Sequence, residues 1–351
     1  MTRKPSNSAE SDDTKASPQS LSLALDTVAE NVKGEPQKPL VDMASPLDTM
    51  KVGQTRDWLK EAEHLPSLHL TDAGETTRKT IMIDGVEREY YLHVPKNYSP
   101  LNPPPVILAL HGYGYNTGQG GSEHGGKGFE QVSDFSKLAD QKNVIVIYPS
   151  GNQEKNFGWN NGQWWFSKLD DVKFIDHLLN KTARDFPLDQ SRIYAIGYSQ
   201  GGSFLHRLID ELPNRFAAAA EVGGWMSGAE GKGAKGLPFM AIQAVVDPTV
   251  PPDGRLLGLR MQSEDYTSNY YRAMNGITEN PLDTARRVKH NGLVRELTSK
   301  IPGQPGEVKL MWLNNEVNHS WYGGLGDKEA SINATNETWN FVSRFRKGQP
   351  P

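Results

Sequence analysis

The run Arg192-Ile193-Tyr194-Ala195-Ile196-Gly197-Tyr198-Ser199-Gln200-Gly201-Gly202 constrains this chain more than any other stretch. Apolar residues over a strand's length meet Gly-Tyr-Ser-Gln-Gly, and Phe204, Leu205, Leu208, Ile209 and Leu212 follow at helical spacing. The pattern predicts strand, sharp turn and helix, with Ser199 at the apex. A turn this tight holds its serine in a strained backbone conformation, so the residues two before and two after must be small. Gly197 and Gly201 occupy those positions, and Gly202 lets the helix start close to the strand. G-x-S-x-G alone arises by chance in a chain with 34 glycines, so the flanking strand and helix carry the weight. The bland alternative is a serine in an ordinary glycine-rich turn.

The rest of the chain supplies a matching frame from Thr76 onward. Lys79–Ile83 and Glu87–Val94 flank Asp84-Gly85, a hairpin signal between β-rich arms. Pro105–Leu110, Val144–Tyr148, Phe239–Val245 and Val308–Leu313 are further apolar runs of strand length. Between them, Gly128–Gln141, Asp170–Asp185 and Thr335–Phe345 carry apolar residues at helical spacing. Continuous apolar strands alternating with amphipathic helices predict an α/β chain: a mostly parallel central sheet covered by helices on both faces. Residues 76–348 are expected to form this single domain. Residues 1–75, polar at first and then broken by Pro36, Pro39 and Pro46, are expected to be a disordered or loosely packed extension.

Composition narrows the partners. A formal net charge of −4 without a basic block beyond Met1–Lys4 argues against nucleic acid. No apolar run approaches the ~18 residues needed to cross a bilayer, so no membrane partner is expected. The start of the chain does not read as a signal peptide, and the compartment stays open, as does the oligomeric state. With no cysteine there can be no disulfide or thiol nucleophile. The nine histidines show no HxxxH or HxH spacing, so no metal site is expected.

In open parallel sheets, reactive groups gather beyond the carboxyl ends of the strands. After Pro105–Leu110 comes His111-Gly112-Tyr113-Gly114, small residues that let the backbone bend over Ser199. The N–H of Tyr113, with that of Gln200, would make an oxyanion hole. His111 reads as a buried structural histidine rather than a base. After Phe239–Val245 comes Asp247, held by Pro248, Pro251 and Pro252. It is either the acid that orients a histidine or a simple Asp-Pro turn, with Asp253 as runner-up and Asp170 and Asp171 more remote. After Val308–Leu313 comes His319 on a polar loop, where a base belongs if the order is Ser, Asp, His.

These residues resemble a family. From Glu87 to about Arg346 the chain is similar to serine esterases of the α/β-hydrolase fold that include polyhydroxybutyrate depolymerases, feruloyl esterases and acetylxylan esterases. The likeness is carried by REYYLHVP (88–95), HGYG (111–114), DDVKFIDHLL (170–179), DQSRIYAIGYSQGG (189–202), FAAAAEVGG (216–224), VVDPTVP (245–251) and NHSWYGG (318–324). The resemblance implies Ser199 as nucleophile, Asp247 as acid, His319 as base, and oxyanion N–H groups near Tyr113 and Gln200. It further implies a cofactor-free hydrolase acting through an acyl-enzyme on aryl, acetyl or hydroxyalkanoate esters, small or polymeric. Trp159, Trp164, Trp165, Trp225 and Trp321 are candidates for an acyl or aryl pocket, with core packing as the alternative. A peptidase of the same fold and a non-catalytic binding protein are the competing readings. The chain departs from the family in lacking cysteines, in carrying Gln200 where a short residue is usual, and in the charged stretch 255–300, either a lid or a packed excursion.

Overall fold

The computed structural model describes residues 72–114, 124–163, 167–228, 230–231, 233, 235–255, 261–288 and 292–349, all within one compact unit, Ser67–Pro351. Apart from 72–75, the expected extension 1–75 lies outside these residues, as do Trp164 and Trp165.

Ten strands form one sheet: β1 (Thr76–Ile83), β2 (Val86–His93), β3 (Val106–Leu110), β4 (Ile145–Pro149), β5 (Ile193–Tyr198), β6 (Ala218–Val222), β7 (Phe239–Ala244), β8 (Leu282–Arg287), β9 (Leu293–Lys300) and β10 (Glu307–Leu313). Their order is β1-β2-β4-β3-β5-β6-β7-β10-β9-β8. From β4 to β10 neighbouring strands run parallel, while β1–β2 and β9–β8 are antiparallel pairs at the two flanks. Asp84 and Gly85 both take positive φ, 50° and 80°, as a two-residue primed turn requires.

Strands β3 to β7 are buried throughout because both faces are covered. Helices α3 (Asp171–Asp185), α4 (Gln200–Glu211) and α5 (Glu264–Met274) lie on one face, where Phe174, Leu205 and Tyr271 pack with Val106, Leu108 and Leu110. On the other face, α1 (Gly125–Ser133), α2 (Phe135–Lys142) and α6 (Ala334–Val342) bring Phe129, Phe135 and Phe341 against Ile107 and Ala109. Successive side chains of one strand thus feed two cores, which explains apolar runs without alternation.

One local expectation needs correction, and of the two alternatives for 255–300 the structure shows one. Gly128–Gln141 is not one helix: Asp134, at φ 57°, separates α1 from α2. Aspartate tolerates this left-handed conformation, and the bend lets Phe129 and Phe135 both contact Trp321, at ring separations of 5.0 and 5.6 Å. The 255–300 stretch is, where described, a packed excursion. Tyr271 of α5 stacks on Phe239 at 3.8 Å, and β8–β9 extends the sheet beyond β10.

Candidate active site

β3 and β5 are neighbours in space, but the chain leaves β3 for β4 on one side and returns to β5 on the other. This topological switch opens a crevice at their carboxyl ends. Ser199 stands there between β5 and α4, at φ 53° and ψ −123°, outside the regions L-residues favour. A Cβ on Gly197 would lie 2.5 Å from the Gly201 carbonyl oxygen, and one on Gly201 would lie 2.4 Å from that of His111. Both glycines are therefore sterically required. The Ser199 N–H donates to the Val222 carbonyl at 2.9 Å, tying the turn to β6.

Ser199 Oγ lies 2.8 Å from His319 Nε2, and His319 Nδ1 lies 2.7 Å from Asp247 Oδ2. Asp247 is buried, and its Oδ1 accepts from the Thr249 and Val250 N–H groups at 2.8 Å each. The other oxygen is 3.5 Å from Gln243 Nε2, which also donates to the Val250 carbonyl at 3.0 Å. The Tyr198 ring stacks on His319 at 5.2 Å, and its hydroxyl donates to the His319 carbonyl at 3.1 Å. An imidazole held this way can take the serine proton while the carboxylate fixes its tautomer and stabilises the imidazolium.

The other acids considered in sequence lie in other settings. Asp253 is exposed, Asp170 caps α3 through the Lys173 N–H, and buried Asp171 pairs with Arg88 at 2.6 Å.

Across the crevice, Gly112 approaches Ser199 so closely that a Cβ there would lie 3.1 Å from the serine Cβ. This sets the 111–114 turn beside Ser199. Tyr113 is half exposed at its tip. His111 beneath it is wholly buried: its Nε2 accepts from the Gly151 N–H at 2.9 Å, and its Nδ1 donates to the Gly112 carbonyl at 2.7 Å. Burial pushes its pKa down to about 4, so it is a neutral strut.

Gln200 is the first residue of α4, so its N–H has no partner within the helix. Its buried carboxamide clamps Trp159 twice, with Oε1 accepting from the Trp159 N–H at 2.9 Å and Nε2 donating to its carbonyl at 2.8 Å. A small residue could not do this.

The expected pocket aromatics divide. Trp159 is inaccessible, stacked on Phe204 at 5.1 Å with its indole N–H on the His111 carbonyl. Trp321 is equally buried, its N–H donating to Thr335 Oγ1 at 2.9 Å. Both are packing residues: the indole N–H of each is already committed and no face is open. Trp225 packs with Val250 and Met261, and its buried Nε1 has no hydrogen-bond partner among the described residues. Two residues before it, Gly223 backs onto the His319 ring closely enough that a Cβ would lie 2.9 Å from Cε1.

Gln243 and the clamp made by Gln200 escaped sequence reasoning. The signal for Gln243 was a lone amide in an otherwise apolar strand, Phe-Met-Ala-Ile-Gln-Ala. A buried polar side chain needs a partner, and here the partner is the Asp247 loop.

Residues 82–270 match the family model described as "Putative esterase". The "Probable feruloyl esterase C" of Aspergillus flavus is 31% identical over 195 residues, 54% of this chain and 67% of that protein. Feruloyl esterase C of Emericella nidulans is 32% identical over 171 residues, 48% of this chain and 57% of that one. An acetyl xylan esterase from Aspergillus awamori superposes with a TM-score of 0.51 at 15% identity, covering 76% of this chain and 99% of its own; this likeness shows the fold, that of the α/β-hydrolases. With the family match spanning more than half of its residues, the chain belongs to this esterase family.

Proposed function

We propose that this carboxylic ester hydrolase works through an acyl-enzyme formed on Ser199. The reading is carried by one observation: a hydroxyl at a strained turn lies 2.8 Å from an imidazole nitrogen whose other nitrogen meets a buried carboxylate. Ser199 Oγ forms a bond to the ester carbonyl carbon as its proton passes to His319 Nε2. The tetrahedral oxyanion is met by the N–H groups of Tyr113 and Gln200. Breaking the carbon–oxygen bond releases the alcohol, which carries away the proton from His319. Water, deprotonated by the same nitrogen, then frees the acid and restores Ser199.

The substrates proposed are feruloyl and acetyl esters of saccharides, in line with the names borne by the relatives above. Trp225 is the aromatic candidate for substrate contact, a reading supported by its buried indole N–H, which has no partner among the described residues. The test is hydrolysis of nitrophenyl acetate and methyl ferulate by the wild type and Ser199→Ala. The variant is expected to lose at least ~10³-fold in kcat, and undiminished turnover would refute the mechanism.

A further inference from the structure

A cavity of about 750 Å³ opens beyond the carboxyl ends of β7 and β10. One wall is the loop that carries Asp247, contributing Val245, Pro252 and Asp253. Another is the start of α5, contributing Ser263 and Asp265, and the floor is Leu297, Arg295 and Trp312 from the adjoining strands. Trp312 and Arg295 are register partners in β10 and β9, so their side chains share one face of the sheet. The volume falls in the ~300–1,000 Å³ range of small-molecule sites.

From this cleft we infer a saccharide-binding subsite that holds the carbohydrate part of an esterified glycan, an inference resting on the substrate class proposed above. The lining selects for such a ligand by chemistry. Indole and leucine offer an apolar surface to the C–H face of a sugar ring, and Asp253, Asp265, Arg295 and Asn314 offer hydrogen bonds to its hydroxyls. An acyl chain would strip water from two carboxylates and a guanidinium and return nothing. A polyanion would meet Asp265 and Asp253, the latter only loosely paired with exposed Arg255 at 3.7 Å. Arg295, which feels Asp265, offsets them only in part, because its Nε and Nη2 are held by Asp283 at 2.6–3.0 Å. A neutral polyol satisfies both the ring and the charges.

The position fits as well. The Val245–Asp253 wall is hung on Asp247 through the Thr249 and Val250 N–H groups. A sugar chain lodged there lies against the same loop that orients His319. Half-exposed Val245 at the rim marks the cleft as open to solvent.

The test is titration of unesterified xylotetraose and cellotetraose into full-length Ser199→Ala by calorimetry. Trp312→Ala and the exposed-site variant Asp253→Ala are compared in the same background, with thermal unfolding to verify the fold. At least one sugar is expected to bind with a sub-millimolar Kd, and both added substitutions to weaken it about tenfold or more. Absence of binding by either sugar up to 10 mM, or binding that a folded Asp253→Ala leaves intact, overturns the inference. Because the ligand has no ester, the result does not depend on turnover. Loss of the esterase reading would show instead in the Ser199→Ala kinetics.

Discussion

Gln200 acts from both ends. Its backbone N–H begins the helix behind the serine, while its carboxamide satisfies both main-chain groups of Trp159. Gln200→Ala is therefore expected to strand a buried donor and acceptor, lowering stability by about 1–3 kcal/mol, as read from urea midpoints. Gln200→Glu keeps the acceptor but turns a second buried oxygen, ionised at neutral pH, against the Trp159 carbonyl, and should cost at least as much as alanine. His111 gives the site an acid limit. Its folded pKa, about 4, lies below the ordinary histidine value of 6.5, so the unfolded chain binds the extra proton first. Stability from this group is complete above pH 6.5 and is lost as pH falls toward 4. The urea midpoint should drop over that interval in the wild type, and less steeply in His111→Gln.

Two elements are secured by buried charge. Arg88 on β2 reaches Asp171 at the start of α3, lies over the Phe174 ring at 4.1 Å, and shares Asp171 with the Asn160 N–H. Breaking such a pair leaves a charge uncompensated, so Arg88→Met should cost about 3–5 kcal/mol, whereas Arg88→Met with Asp171→Leu should recover part of it. Helix α5 is anchored differently. Tyr271 hydroxyl meets His206 Nδ1 at 2.9 Å, and His206 Nε2 lies 3.1 Å from Glu221. Glu264 is buried near them with one oxygen unpartnered among the described residues, and burial, then the charge of Glu221, raises its pKa well above the ordinary carboxylate value. The sign is therefore opposite to that of His111. Glu264 contributes fully below its unfolded pKa near 4.5, and its contribution is lost as pH climbs through the raised folded value. Glu264→Gln should flatten that decline, measured by urea unfolding across pH 5–9.

For the whole molecule, the parallel core was legible because doubly covered strands must be apolar at every position, as in Val106–Leu110 and Ile145–Pro149. The hairpin at Asp84-Gly85 was legible because few dipeptides accept positive φ twice. β8, reading Leu-Asp-Thr-Ala-Arg-Arg, was not, because an exposed edge strand needs charge rather than apolar pattern. Ser199, Asp247 and His319 were readable as residues following strands. The amide clamps of Gln200 and Gln243 were not, since their partners are set by tertiary packing. The two antiparallel flanks join chain segments close in sequence, whereas the Ser199–His319 contact spans 120 residues and the His319–Asp247 contact 72. Closing loops of that length is the slow part of refolding. After dilution from denaturant, far-UV circular dichroism should thus recover before hydrolytic competence, leaving a transient in which the polypeptide is ordered yet inert.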